Sequence, residues 1–320
     1  MQSHPPPAIA PLPGNGKPRP MWSVMVPTYG PDEKYLRQAL ASVLQQDPGP
    51  EQMQIEVVDD GSQDLGVADM VKSIAGERIG FSRNQKNLGL AGCWNTCLDR
   101  SRGQWVHILH QDDYVLPGFY ARLARAGQAH PQVSLLATRS FFVDAEGVIV
   151  GVTARLRHLE NGGCLADDFF YRTPILCPGV VVKRAFYEAQ GGFRSDLSFV
   201  LDCEMWARVA GSAGGLVTPE VLSCYRSFDG SATVRLSRTA ECLYDLERLN
   251  RIFAECYSGF DRKIAARRVC NLALEEAERF SRNGNTEAVK FNMDYWKKNV
   301  PASVRLRRFA GKVARSILGS

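Results

Sequence analysis

The sequence predicts an α/β domain on a mixed, mostly parallel sheet, followed by a helical C-terminal region. Three observations predict it. Short apolar runs alternate with amphipathic stretches from residue 22 onward, the pattern of parallel strands covered by helices. Two of these runs end in paired carboxylates, Asp59-Asp60 and Asp112-Asp113. Beyond about residue 233 the strand signals fade and three long helical periodicities follow.

Residues 1–20 hold Pro5-Pro6-Pro7 and Pro11-Leu12-Pro13-Gly14, lack periodicity, and are expected to be a disordered tail. Order is expected from Trp22-Ser23-Val24-Met25-Val26, a short strand stopped by Pro27. Leu36, Ala39, Leu40, Val43 and Leu44 then repeat at helical spacing. The strand Ile55–Val58 follows, then Val67–Ile74 as helix, Ile79–Ser82 as weak strand and Ala91–Arg100 as helix. Trp105–Leu109 is the next strand, and a helix runs from after Gly118 to about Ala129. Runs at Val133–Ala137, Phe141–Val143 and Val148–Val150 suggest a hairpin that makes the sheet mixed. The divisions read from this are a tail at 1–20, a main domain at 21–232 and a helical region at 233–320. The piece from Val304 to Leu318 is basic and amphipathic, and two readings stay open: a helix with a solvated basic side, or a foot on an anionic membrane.

A net charge of +5 does not call for nucleic acid and suits an acidic or phosphorylated ligand. No apolar run is long enough for a transmembrane helix, and the N-terminus lacks a secretory pattern. Nine scattered cysteines, an odd number without a CxxC pair, read as reduced buried thiols and point to the cytoplasm.

A buried strand ending in two adjacent carboxylates is costly unless a cation or a donor meets them. At the C-terminal edge of an open α/β sheet, where ligands bind, two such pairs suggest a metal-diphosphate ligand. Four segments stand in order: Val26-Pro27-Thr28-Tyr29, Val57-Val58-Asp59-Asp60-Gly61-Ser62, Asn87-Leu88-Gly89-Leu90-Ala91 and His110-Gln111-Asp112-Asp113. With a fifth, Leu201-Asp202-Cys203-Glu204-Met205-Trp206-Ala207-Arg208, they resemble the family 2 glycosyltransferases, the inverting group with the GT-A fold. The resemblance spans roughly residues 22–230.

The resemblance implies roles residue by residue. Thr28 and Tyr29 fall on the nucleotide side, with Tyr29 stacking on the base, a contact worth about 1–3 kcal/mol. Asp60 would accept from the base, Asp59 would serve the same nucleoside or local backbone donors, and Arg83 would contact the nucleotide. Asp112 would touch the ribose and Asp113 would ligate Mg²⁺ or Mn²⁺, which suit hard oxygen donors. Asp202 is the expected catalytic base, with Glu204 its competitor; Trp206 is read as acceptor-pocket lining or core. Many relatives carry a His after a Tyr-Arg pair, where this chain has Phe228 after Tyr225-Arg226. His110 is given a structural role. The glycines around Gly89 are not the dinucleotide fingerprint, which disfavours nicotinamide.

The implied donor is a nucleotide-diphospho sugar, with UDP the first choice and dTDP or GDP open. The implied acceptor is a glycan or lipid-linked hydroxyl in surface polysaccharide synthesis. The rivals are a non-catalytic nucleotide-sugar-binding scaffold and a nucleotidyltransferase, the latter disfavoured because Pro27-Thr28-Tyr29-Gly30-Pro31 is no phosphate loop. Three amphipathic helices could build an oligomer.

Overall fold

Strand β1 (Trp22–Thr28) is buried at all seven residues. It lies between β2 (Met53–Asp59) and, after β3 (Gly80–Arg83), β4 (Trp105–Ile108), which accounts for its continuous apolar run. The computed structural model describes residues 5–13, 18–63, 66–161 and 163–300. The chain divides into two compact units, 1–228 and 229–320.

In the first unit, β3, β2, β1 and β4 are parallel neighbours. Beyond β4 the sheet continues through β8 (Val180–Lys183), β6 (Leu135–Val143), β9 (Gly215–Arg226) and the short β5 (Tyr114–Val115). Strand β8 is antiparallel to β4 and β6, β6 and β9 are parallel, and β7 (Ile149–Val152) forms a hairpin with β6. Helices α1 (Glu33–Leu44), α2 (Val67–Ala75), α3 (Gly89–Arg100) and α4 (Phe119–Ala129) connect the parallel strands and lead into β6. Helices α5 (Arg184–Gln190) and α6 (Leu201–Ala213) lie between β8 and β9. Leu36, Leu40 and Val43 of α1 pack with Val24, Val26, Ile55 and Leu123 in one core.

The mixed α/β sheet is therefore as expected, with local differences. Strand β1 does not stop at Pro27 but runs to Thr28. Thr28 O accepts from Asp60 N–H on the β2 side, and Met25 O takes the bond from Leu109 N–H on the β4 side. Backbone direction alternates, so Pro27 faces β4 beyond that last bond, where its missing N–H costs nothing. Strand β6 is one strand, not two runs, because its polar centre is buried and paired: Ser140 Oγ meets Ser223 Oγ at 2.8 Å. The 12-residue β9, interrupted by Pro219, had no legible pattern. The N-terminal segment also differs from a disordered tail over its described residues. Ile9 is buried, Pro7 O accepts from Gly192 N–H, and Ala10 O accepts from Arg184. Proline-rich chain loses little entropy on fixing, so a few such contacts suffice to hold it.

The second unit holds α7 (Ala232–Arg238), α8 (Glu241–Cys256), α9 (Arg262–Arg282) and α10 (Thr286–Asn299). Asp261 caps α9 through Lys263 and Ile264 N–H, and Asn285 caps α10 through Ala288 N–H. Val234, Phe280 and Ala288 form a small core, and Tyr295 Oη donates to Glu247 at 2.6 Å. No helix among the described residues is long and apolar enough to cross a membrane. Residues 304–318, with their two open readings, lie outside the described residues.

Candidate active site

The C-terminal ends of β1, β2 and β3 set Thr28, Asp59 and Arg83 side by side in one row of the sheet. Thr28 is buried and its Oγ1 donates to Val26 O, so its side chain serves the strand end. Tyr29 follows it into solvent, 49 % exposed. Gln111 holds that loop at both ends: Tyr29 N–H donates to Gln111 Oε1 at 2.8 Å, and Gln111 Nε2 donates to Tyr29 O at 3.3 Å. The exposed ring and the acidic segment are thereby fixed to each other.

Asp59 is fully buried, accepts from Ser62 N–H at 3.2 Å and from Ser62 Oγ, and forms an ion pair with Arg83 Nε at 2.6 Å. Arg83 is thus the counterion of Asp59. Asp60 accepts from Asn84 Nδ2 at 2.7 Å and from Leu88 N–H at 3.0 Å, which draws the 84–88 loop over the strand ends. Gly61 makes this approach possible. Its φ is +72°, and a Cβ there would lie 2.9 Å from Asn87 N. Both carboxylates therefore already have partners, and Leu88 N–H is shared between the two oxygens of Asp60, at 3.0 and 3.1 Å.

After β4 the chain turns through His110–Asp113. His110, Asp112 and Asp113 each offer a ligand atom, all within 4.8 Å of one another. Asp113 is buried and accepts from His110 Nδ1 at 3.1 Å and from Arg226 N–H at 2.8 Å. Burial first, and the Asp113 charge second, push the Asp112 carboxyl up to about 6. Burial opposes a charge on His110, but the Cys177 thiol and Asp113 outweigh it and raise the imidazole well above its usual range. His110 Nε2 is buried without a hydrogen-bond partner, and the ring packs on Trp94 at 5.0 Å. The two crowded carboxylates form a hard-oxygen donor set that fits a divalent cation.

Asp202 sits in the first turn of α6, half-buried, and its Oδ1 accepts from the adjacent Cys203 N–H at 2.7 Å. Burial raises the Cys177 thiol, which also stands in the fields of His110, Asp202 and Asp113. This puts the start of α6 near the acidic turn. Glu204 is otherwise engaged: it is buried and doubly paired with Arg208 at 3.0 Å, and Arg208 in turn holds the carbonyls of Gln190, Gly191 and Gly192. Trp206 is buried core against Phe193 at 6.1 Å. Phe228 packs on Tyr35 at 5.3 Å.

Sequence reasoning assigned no role to Gln111, Asn84 or Arg226. Gln111 carried a signal, standing directly before Asp112, and Arg226 stood in the Tyr-Arg pair. Asn84 had none, because its partner is 24 residues away.

An acidic turn thus stands beside an exposed aromatic at the carboxyl edge of this sheet. Residues 23–174 match the family model for glycosyl transferase family 2. An uncharacterised protein of Mycobacterium tuberculosis is 27 % identical over 246 residues, covering 72 % of this chain and 75 % of its own. An uncharacterised glycosyltransferase of Methanocaldococcus jannaschii is 27 % identical over 134 residues, 41 % of this chain and 46 % of its own. Among solved structures, S. aureus TarS 1–349 in complex with UDP-GlcNAc aligns with a TM-score of 0.56 at 18 % identity, over 82 % of this chain and 74 % of that one. A mannosyltransferase from Pyrobaculum calidifontis with GDP-Man and Mn²⁺ aligns with a TM-score of 0.54 at 16 % identity, over 98 % and 84 %. These structural likenesses confirm the GT-A fold.

Proposed function

We propose that the protein is a metal-dependent, inverting glycosyltransferase that moves a sugar from a nucleotide-diphospho donor to a hydroxyl. The observation that carries this reading is the convergence of His110, Asp112 and Asp113 within 4.8 Å, tied through Gln111 to the exposed Tyr29. Tyr29 stacks the base, while Asp60 and Arg83 frame the nucleoside edge; Asp112 receives the ribose. Asp113, with Asp112 and His110 near it, would hold Mg²⁺ or Mn²⁺, which when bound supplies positive charge for a departing diphosphate. Asp202 takes the proton of the acceptor hydroxyl as it attacks the anomeric carbon from the side opposite the diphosphate. Its Oδ1 accepts from Cys203 N–H, which helps to orient the carboxylate.

UDP-GlcNAc and GDP-Man occupy the two structural neighbours, so uridine and guanosine donors both stay in play here, with thymidine third. The acceptor is proposed to be a glycan or lipid-linked saccharide. The nine cysteines are free thiols, eight of them buried, which supports a cytoplasmic placement.

Calorimetry with UDP, GDP and dTDP, each with Mn²⁺ and with chelator, tests the reading. One of them should bind at micromolar affinity and lose most of it on chelation. A folded protein that binds none of the three would sink the proposal.

A further inference from the structure

Arg226 closes β9 and is 1 % exposed, yet its guanidinium meets no carboxylate among the hydrogen bonds it makes. Nε donates to Asp112 O at 3.0 Å, Nη1 to Asp144 O at 2.9 Å and to Ala145 O at 3.0 Å, and Nη2 to Gln38 Oε1 at 2.6 Å. Its backbone N–H reaches Asp113 Oδ1 at 2.8 Å. The charge also lies over the Tyr35 ring at 4.4 Å and 5.6 Å from the Tyr114 ring centroid. A buried cation is costly, and the groups it touches directly are carbonyl dipoles, one amide and two aromatic faces, with the Asp112 carboxylate acting on it through its field.

We infer that Arg226 is a positioning residue that locks the Asp112-Asp113 pair to the turn of the β6–β7 hairpin. One residue bonds to the backbone of Asp112, to the side chain of Asp113 and to the backbone at 144–145. The acidic turn and the hairpin turn are about 30 residues apart in sequence, and Arg226 bonds to both, so it is their common anchor. Phe228 packs on Tyr35 and so supports the ring beneath the guanidinium. The position thus acts through packing. It fixes how the acidic pair is presented and links that presentation to the hairpin, whose β7 exposes Ile149, Val150 and Val152. A lysine cannot do the same, because one ammonium nitrogen cannot span carbonyls on three sides.

The functional half rests on the reading of Asp113 as a metal ligand, so the test has two arms. The first is hydrogen exchange by mass spectrometry on the full chain, wild type against Arg226→Lys and Gln38→Ala. Exchange should rise together in peptides covering 111–115 and 144–148 while β1 and β2 stay protected. The second arm is calorimetry with UDP and GDP, with Mn²⁺ and with chelator. Arg226→Lys should weaken the Mn²⁺-dependent binding about 10- to 100-fold, with the chelator-insensitive part unchanged. Gln38→Ala, which leaves the arginine in place, should do the same to a smaller degree and decides the matter if Arg226→Lys does not fold. Exchange that stays unchanged at both segments, or rises throughout the unit, would overturn the anchoring role. Equal loss of metal-dependent and metal-independent binding would reduce Arg226 to a structural arginine. Wild-type protein that binds neither nucleotide fails the glycosyltransferase reading, and the exchange arm still decides the anchor.

Discussion

Acid should destabilise this protein through one buried histidine, His107, before most carboxylates titrate. His107 lies on β4, three residues before His110, and is fully buried. Nε2 is 3.1 Å from Pro178 O, which can only accept, so Nε2 carries the proton. Nδ1 then accepts from Tyr120 Oη at 3.0 Å, and the neutral ring is satisfied at both nitrogens. Burial lowers its pKa most, the Pro178 bond opposes this, and the nearby His110 lowers it further, to about 3 from the ordinary 6.5. Below pH 6.5 the unfolded chain takes up a proton that the folded chain refuses until about pH 3, so stability falls as pH falls through that window. At 1.36 kcal/mol per pKa unit the full loss is about 5 kcal/mol, of which about 2 kcal/mol falls between pH 7 and pH 5. Urea unfolding at the two pH values, followed by tryptophan fluorescence, measures it, since Trp22, Trp94, Trp105 and Trp206 all report on the first unit. His107→Gln removes the titration. Its stability should be lower at pH 7 but should change by about 2 kcal/mol less between the two conditions. Equal pH dependence in both proteins would refute the argument. The loss matters for the site because Pro178 neighbours Cys177, whose thiol acts on His110.

Other outcomes are equally specific. Asp113→Ala should abolish the metal-dependent part of nucleotide binding in calorimetry, while Asp202→Asn should keep it and lower turnover by about 10² or more. Equal loss of binding in both would count against dividing the roles that way. Gly61→Ala should cost more than about 1 kcal/mol in urea melts, because φ +72° strains any Cβ and the 86–87 backbone blocks it. Arg83→Met leaves Asp59 buried with only Ser62, and since Arg83 is itself partly exposed, about 1–3 kcal/mol of stability should go. A melt unchanged by that substitution would mean solvent already compensates Asp59.

Local chemistry was enough to read the parallel half of the sheet and the acidic turn. Short, mostly apolar runs such as Trp22–Val26 and Ile55–Val58 read as buried strands, and Asp59-Asp60 and Asp112-Asp113 announce themselves as costly charges at strand ends. The family resemblance followed from those segments in order, and the match at 23–174 bears it out. The strands β8 and β9 escaped because their partners are remote: Ser223 is buried only because Ser140 comes from 83 residues away. The same distance hid Arg226, which reads as a surface arginine until 114 residues of chain fold back to bring Asp112 O against it. Sequence by itself determined which groups could not stay unpaired, since the cost of burying a charge is a property of the residue. Only the tertiary structure decided which partner each one found, because that choice depends on backbone carbonyls and aromatic faces whose positions are set by the whole sheet.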